Sequence, residues 1–219
     1  MKERPVLMNG AMVRATLAGT KTHTRRIVKL TDTGRAKEVG SPRNWHLGDP
    51  DVIKACHYGQ PGDRLWVRET FKAIASGEVK GGYGEVRYGF AYQADNATRW
   101  NERPTIINDM TDQPPTGPMQ FNPVPWKPSI HMPRRASRIT LGIVSVRVER
   151  LNEISEADAM MEGIESRAEY FRNYGLPESE GGGFNCPSNS FRSLWESING
   201  PCSWAENPWV WVVEFRRLP

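Results

Sequence analysis

The last strand that the sequence predicts constrains the fold more than any other segment. Residues 209–216 begin with the run Trp209-Val-Trp-Val-Val213, which is apolar at successive positions. A strand with one face in water would alternate apolar and polar residues, so this strand is predicted to be buried on both faces. It therefore needs neighbouring strands on both sides and other elements packed against both faces of the sheet.

The other predicted elements define the fold class. Capping residues mark a helix from Asn9 to Gly19 and a second from Ser155 to Gly163, and apolar residues at helical spacing mark a third over 191–198. This order lacks the strict strand–helix alternation of a doubly wound sheet. We expect an α+β fold, a small β-barrel flanked by helices. The predicted strands are 5–8, 22–30, 64–71, 85–94, 139–150 and 209–216.

Three polar, Gly- and Pro-rich regions interrupt these elements. They cover residues 31–60, 73–128 and 165–190, and six prolines fall between Pro114 and Pro128. Proline removes a backbone donor and fixes φ, so that last stretch cannot be regular structure. We expect one domain over 1–219 with long loop insertions in these regions.

The composition bears on compartment and cofactors. The three cysteines, Cys56, Cys186 and Cys202, are far apart and odd in number, which suits a reducing cytoplasm better than a disulfide framework. They form no Cys-x-x-Cys pair, so we expect no metal and no other cofactor. No apolar run reaches the length of a membrane span, so we expect no membrane contact. The sequence makes no prediction about oligomeric state.

A basic and hydroxyl-rich motif follows the first helix, Leu17-Ala-Gly-Thr-Lys21-Thr-His-Thr24-Arg-Arg26. An amine with a lowered pKa can activate an alcohol, and the same groups can bind phosphate or a nucleobase without chemistry. Positions 21 and 24 would face opposite ways in an ideal strand, so a bend is needed between them. Beyond it, Arg26 would share a face with Thr24. A plain ion pair and a strand hydroxyl are the structural alternative.

Glu162 lies at the predicted end of the second helix, beside Gly163. The helix dipole disfavours a negative charge there, so a carboxylate is better tolerated with a cationic partner or a proton. Pairing with Lys21 would satisfy this and would suit proton transfer to a leaving amine. The alternative is a solvated residue at a helix end.

The motif around Lys21 and three further segments resemble an ASCH domain, a β-barrel relative of the PUA RNA-binding fold. These segments are Gly62-Asp-Arg-Leu-Trp-Val67, residues 151–164 and Trp211-Val-Val-Glu-Phe215, in that order. The longer ASCH proteins of tailed phages and prophages also share Gly62-Asp-Arg-Leu-Trp-Val-Arg-Glu-Thr70 and Ile130-His-Met-Pro-Arg134. Against those proteins the resemblance covers nearly the whole chain.

The resemblance implies a site. Some small bacterial ASCH proteins are amidohydrolases that deacetylate N4-acetylcytidine with a lysine, a threonine and a glutamate, which match Lys21, Thr24 and Glu162 here. Lys21 would be the base, Thr24 the nucleophile and Glu162 the proton donor. Other members are described as nucleases or RNA-binding proteins. The resemblance therefore implies a nucleoside or a nucleic acid as the partner, with RNA favoured over DNA. The alternative function is a non-catalytic RNA- or DNA-binding module, or a ribonuclease.

Seven residues are candidates for substrate binding. Arginines can hold phosphate by charge-assisted hydrogen bonds, and tryptophan can stack on a base. For the charged residues, a solvated strand or rim position is the structural alternative. The candidates are Arg26, Arg68, Glu69, Trp126, Arg134, Arg135 and Arg138.

Overall fold

The computed structural model describes residues 1–37, 44–80, 83–101, 105–108, 125–167, 169–177, 180 and 182–219. These residues form fourteen strands, three α-helices and four short 3₁₀ helices. The α-helices are α1 (Gly10–Ala18), α2 (Glu156–Met161) and α3 (Pro187–Asn199). The strands are β1 (Glu3–Leu7), β2 (His23–Ile27), β3 (Ala36–Lys37), β4 (Asn44–Trp45), β5 (Arg64–Arg68), β6 (Phe71–Lys80), β7 (Tyr83–Tyr92), β8 (Thr98–Trp100), β9 (Thr105–Asn108), β10 (Thr140–Arg150), β11 (Ser166–Arg167), β12 (Tyr170–Arg172), β13 (Gly183–Phe184) and β14 (Trp209–Arg217).

The predicted mixed α+β class is confirmed, with sheets predominating over helices. The main sheet has the order β1-β5-β10-β14-β2. Strand β14 pairs antiparallel with β10, from Leu141 opposite Arg217 to Arg150 opposite Trp209, and with β2 on its other side. Residues 210–213 of β14 are at most 2% exposed, so the prediction of a strand buried on both faces is confirmed.

The chain divides into two compact units. The first contains residues 1–6, 12–67 and 138–219, and the second contains 7–11 and 68–137. In the second unit, β6, β7 and β8 form a sheet to which β9 adds by pairing with β7. Its core contains Phe71, Tyr92, Met132 and Ala136. The Tyr92 hydroxyl donates to the Ala136 carbonyl oxygen at 2.8 Å, which satisfies the buried phenol.

All three regions predicted as loop insertions contain strands. Strands β3 and β4 lie in 31–60, and β11 to β13 lie in 165–190. Region 73–128 contains the predicted strand 85–94, which is β7, together with β8, β9 and most of β6. The predicted strand 64–71 ends at Arg68, and β6 begins at Phe71. Most of the proline-rich segment 114–128, through residue 124, lies outside the described residues.

Predicted helix ends agree closely with the structure. Helix α1 stops at Gly19, which has φ +80°, a conformation that glycine adopts without strain. Helix α2 begins after Ser155, whose hydroxyl accepts from the Asp158 amide at 3.1 Å. Within the described parts of the chain, no helix combines the length and apolar character needed to cross a membrane.

Candidate functional site

The Lys21 motif and the end of helix α2 lie side by side in the first unit. Lys21 and Glu162 form an isolated antiparallel bridge, and the Thr22 amide donates to the Met161 carbonyl oxygen at 2.9 Å. Glu162 is the residue that ends α2. Backbone pairing therefore joins two segments 141 residues apart in sequence, the separation between Lys21 and Glu162.

The Lys21 side chain is enclosed completely, with none of its surface exposed. Its Nζ donates to the His23 carbonyl oxygen at 2.7 Å, to the Glu162 carbonyl oxygen at 2.7 Å and to Glu162 Oε2 at 2.9 Å. An ammonium group has three N–H donors, so all three are satisfied. Burial lowers the pKa of Lys21, although the Glu162 carboxylate opposes this. The alternative of a solvated Glu162 is wrong, since this side chain is 3% exposed.

A buried arginine that the sequence does not single out, Arg25, contacts the other side of Glu162. Arg25 Nη1 donates to Glu162 Oε1 at 3.2 Å, its Nη2 donates to Asp158 Oδ2 at 2.7 Å, and its Nε donates to Glu149 Oε1 at 3.0 Å. A signal was present in the sequence: Asp158 and Glu162 are four residues apart in a predicted helix and so share a face. Two carboxylates on one helix face favour a cation between them.

The network extends outward through Arg147. This arginine donates from Nε to Glu149 Oε2 at 3.0 Å and from Nη2 to Asp158 Oδ2. Three cations (Lys21, Arg25 and Arg147) thus face three carboxylates (Glu149, Asp158 and Glu162). Burial raises the pKa of Asp158, but its hydrogen bond to Arg25 and the Arg147 charge outweigh burial and lower it.

Thr24 is also fully buried, on strand β2 opposite Val213. Among the described residues, no hydrogen-bond partner lies within reach of its hydroxyl. A buried hydroxyl without a partner is costly and is seldom left in a structure without a reason. The carbonyl that accepts from Lys21 Nζ belongs to the peptide joining His23 to Thr24, so the amine lies beside the backbone of this residue.

Gly163 allows Lys21 to approach the end of α2. Its φ is +78°, and a Cβ at this position would lie 2.6 Å from the Lys21 Cβ and 2.8 Å from the Ala15 Cβ. Gly19 has almost the same φ, +80°, but no described atom lies within 4 Å of its Cβ position. Both glycines therefore need a positive φ, but only Gly163 has neighbouring atoms in the space that a Cβ would occupy.

We expect Gly163→Ala to be more destabilising than Gly19→Ala. Both substitutions strain the backbone, whereas only the first forces Lys21 away from the helix end, which adds about 1–3 kcal/mol of overpacking. Chemical denaturation of both variants measures the difference. Equal losses would show that Lys21 is not held against Gly163 as described.

Among the predicted binding residues in the first unit, Arg26 lies close to the site. It is half-buried, donates from Nη1 to the Arg25 carbonyl oxygen at 3.2 Å and hydrogen-bonds Tyr58. Its charge also contributes to lowering the pKa of Lys21, after burial, the main cause. Arg138 is half-buried and precedes β10. We retain Arg26 as a candidate beside the Lys21 cluster.

The other five predicted binding residues belong to the second unit. Arg68 donates to the Ile130 carbonyl oxygen. Glu69 is only 1% exposed, so the alternative of a solvated strand position is wrong for this residue. The Trp126 ring lies 4.7 Å from Lys72 Nζ, a cation–π contact. Arg134 and Arg135 are exposed in a short 3₁₀ helix.

No metal centre is built from the described residues, among which no group of three or more histidine, cysteine or acidic side chains is placed to hold an ion. All three cysteines are free thiols. Burial raises the pKa of the Cys56 thiol to about 11, so it is protonated and unreactive at neutral pH.

Comparison of the chain with protein-family models, with curated proteins and with solved structures found no match. What the site can do therefore has to be inferred from its own residues. A buried amine with a lowered pKa, a paired carboxylate and a hydroxyl without a partner are groups that nucleophilic hydrolysis of an amide uses.

Proposed function

We propose that this chain is an ASCH-type protein that hydrolyses an amide on the exocyclic amine of a nucleobase, with N4-acetylcytidine as the reference substrate. The observation that carries the proposal is the enclosed Lys21–Glu162 ion pair of 2.9 Å, together with a buried Thr24 hydroxyl, three residues further along the same segment, that has no hydrogen-bond partner among the described residues. These are the three residues that the resemblance to the amidohydrolases implies. Folding brings two of them together from distant parts of the sequence.

The proposed PUA-like barrel has support from the edges of the main sheet. Strands β1 and β2 are its two edge strands. Asp63 pairs with Arg4 of β1 at 3.3 Å, while Tyr58, five residues earlier, hydrogen-bonds Arg26 of β2. One short segment thus contacts both edges, which supports the curled sheet that a small barrel requires.

In the proposed reaction, Lys21 first passes a proton to Glu162 Oε2, and its neutral amine turns from the His23 carbonyl oxygen. The amine then accepts the Thr24 proton, directly or through one water, as the hydroxyl oxygen attacks the acyl carbon. The C–N bond then breaks, and the leaving amine takes a proton by way of Glu162. Water hydrolyses the resulting threonine ester, which releases acetate and restores the hydroxyl. Burial favours the neutral amine because it lowers the pKa of Lys21.

The proposal predicts loss of turnover in Glu162→Gln. Glutamine keeps the size of the side chain but cannot transfer the proton, so the rate of cytidine release should fall by about 10²–10⁴-fold. Chromatography of N4-acetylcytidine reactions measures this. Glu169→Gln, which changes an exposed carboxylate nearby in sequence, is the matched control. Full activity of Glu162→Gln would contradict the assigned role.

A second candidate function is binding of single-stranded RNA by the second unit. It is favoured by the exposed Arg134 and Arg135 and by Trp126, whose ring could stack on a base. If both arginines contact phosphate, alanine at both positions should reduce the log–log salt slope of binding by about 0.7 per lost contact. Arg87→Ala, an exposed arginine of the same unit, is the control. An unchanged slope would exclude these contacts, and cleavage of labelled RNA would indicate a ribonuclease instead.

A further inference from the structure

We propose that Arg25 is a positioning residue of this site: its guanidinium holds one carboxylate oxygen of Glu162 so that Lys21 is left with only the other. The proposal rests on the function proposed above. It concerns a residue outside the lysine, threonine and glutamate that the resemblance implies, and it is carried by the hydrogen bonds around one buried carboxylate.

Each oxygen of the Glu162 carboxylate has its own cation. Oε2 accepts from Lys21 Nζ at 2.9 Å, and Oε1 accepts from Arg25 Nη1 at 3.2 Å. The Lys21 and Arg25 side chains are fully enclosed and the Glu162 side chain is 3% exposed. Water therefore cannot replace Arg25 at Oε1 without opening the structure. The carboxylate is shared between the proposed base and a second, permanent cation.

Arg25 is itself fixed from several elements. Glu149 of β10 and Asp158 of α2 accept from its Nε and Nη2, and its guanidinium carbon lies 5.9 Å from the ring centre of Phe191 in α3. A guanidinium has a planar, rigid arrangement of donors, so anchoring two of its nitrogens fixes where the third points. Glu162 is consequently held in one orientation relative to Lys21.

The charges around Lys21 give this arrangement a chemical consequence. Burial lowers the pKa of Lys21, Glu162 raises it, and the charges of Arg26 and Arg25 lower it. His23, whose carbonyl accepts from Lys21, faces Asp158, Glu214, Arg147 and Glu162, and burial lowers the pKa of His23. Removal of Arg25 takes away a cation and leaves the whole Glu162 charge to Lys21. Both changes favour the protonated, ammonium form of Lys21 and so raise its pKa.

The test uses a charge-balanced variant, because Arg25 alone cannot be removed without leaving buried carboxylates unpaired. Arg25→Gln combined with Glu149→Gln removes one charge of each sign, and Glu149→Gln alone is the control that keeps Arg25. The proposal predicts that the acidic limb of the kcat/KM profile for N4-acetylcytidine moves to higher pH in the double variant. kcat should fall by about 100-fold as Glu162 loses its orientation. Glu149→Gln should keep the position of the limb.

A purely structural role for Arg25 would lower kcat without moving the limb, and that result would overturn the proposal. If the double variant does not fold, Arg25→Lys replaces it. Its ammonium lacks the planar donor geometry that serves Glu149, Asp158 and Glu162 together, so the limb should move in the same direction. An unmoved limb in folded Arg25→Lys would also overturn the proposal.

A second readout separates this proposal from the proposed function. Titration of Lys21 by NMR of lysines labelled with ¹³C at the ε position, assigned with a Lys21 variant, needs no turnover. The Lys21 midpoint should be higher in the double variant than in wild type. A wild-type protein without turnover but with this shift would refute the hydrolase and retain the role of Arg25. Identical midpoints would refute the role of Arg25.

Discussion

Replacement of Lys21 by methionine is expected to lower the free energy of unfolding by about 3–5 kcal/mol. The substitution leaves Glu162 Oε2 without its cation and two buried carbonyl oxygens, those of His23 and Glu162, without the donor they share. Each unsatisfied buried acceptor adds its own desolvation cost. Denaturant titration followed by tryptophan fluorescence measures the loss.

The controls for Lys21→Met separate charge from packing. Lys29→Met, at an exposed lysine close by, should change stability by less than about 0.5 kcal/mol. Adding Glu162→Gln to Lys21→Met should recover part of the loss, because glutamine removes the buried negative charge that has lost its lysine, while its side-chain oxygen can still accept from Arg25 Nη1. A loss below about 1 kcal/mol in Lys21→Met would contradict the enclosed ion pair.

Thr24→Val is expected to separate stability from activity. Valine has the same shape as threonine, and it removes a buried hydroxyl that has no partner among the described residues, so the free energy of unfolding should stay the same or rise. Turnover should fall by about 10⁴-fold or more, because the nucleophile is gone. Thermal unfolding of the variant measures the first effect.

Thr16→Val is the matched control for the hydroxyl. Thr16 is also buried, but its hydroxyl donates to the Met12 carbonyl oxygen at 2.8 Å within α1. Its removal should cost about 0.5–1.5 kcal/mol and leave turnover intact. A destabilisation of similar size in Thr24→Val would mean that the Thr24 hydroxyl does have a partner.

The sequence was sufficient to predict the elements that carry the site. Caps at Ser155 and Gly19 marked the helix ends, because backbone groups there need specific side chains or a positive φ. The apolar run in β14 marked the buried strand. The unfavourable position of Glu162 at a helix end indicated a cationic partner, and the structure contains two, Lys21 and Arg25.

The buried network around Arg25 was not predicted, for a physical reason. His23, Thr24 and Arg25 are all buried, although strand alternation leads one to expect an exposed position among three successive residues. Burial on both faces depends on what packs above and below β2, which local sequence does not contain. In the sequence, Arg25 is one of several basic residues in a motif, and its partners Glu149 and Asp158 come from distant elements.

In the second unit, the sequence predicts β7, as the strand 85–94, but most of its partner β6 was not predicted, for a different reason. Strands β6 and β7 pair along ten residues, from Phe71 opposite Tyr92 to Lys80 opposite Tyr83. Their sequences mix small and charged residues, so the period-2 apolar pattern is weak in β6. Pairing with a long partner strand, rather than local propensity, stabilises this hairpin.

The most direct test of the account is cytidine release from N4-acetylcytidine by wild type and Thr24→Val, at a temperature where calorimetry shows both proteins folded. We expect cytidine and acetate in equal amounts with wild type, and loss of both products with Thr24→Val. Equal release by the two proteins, or none by folded wild type, would contradict it.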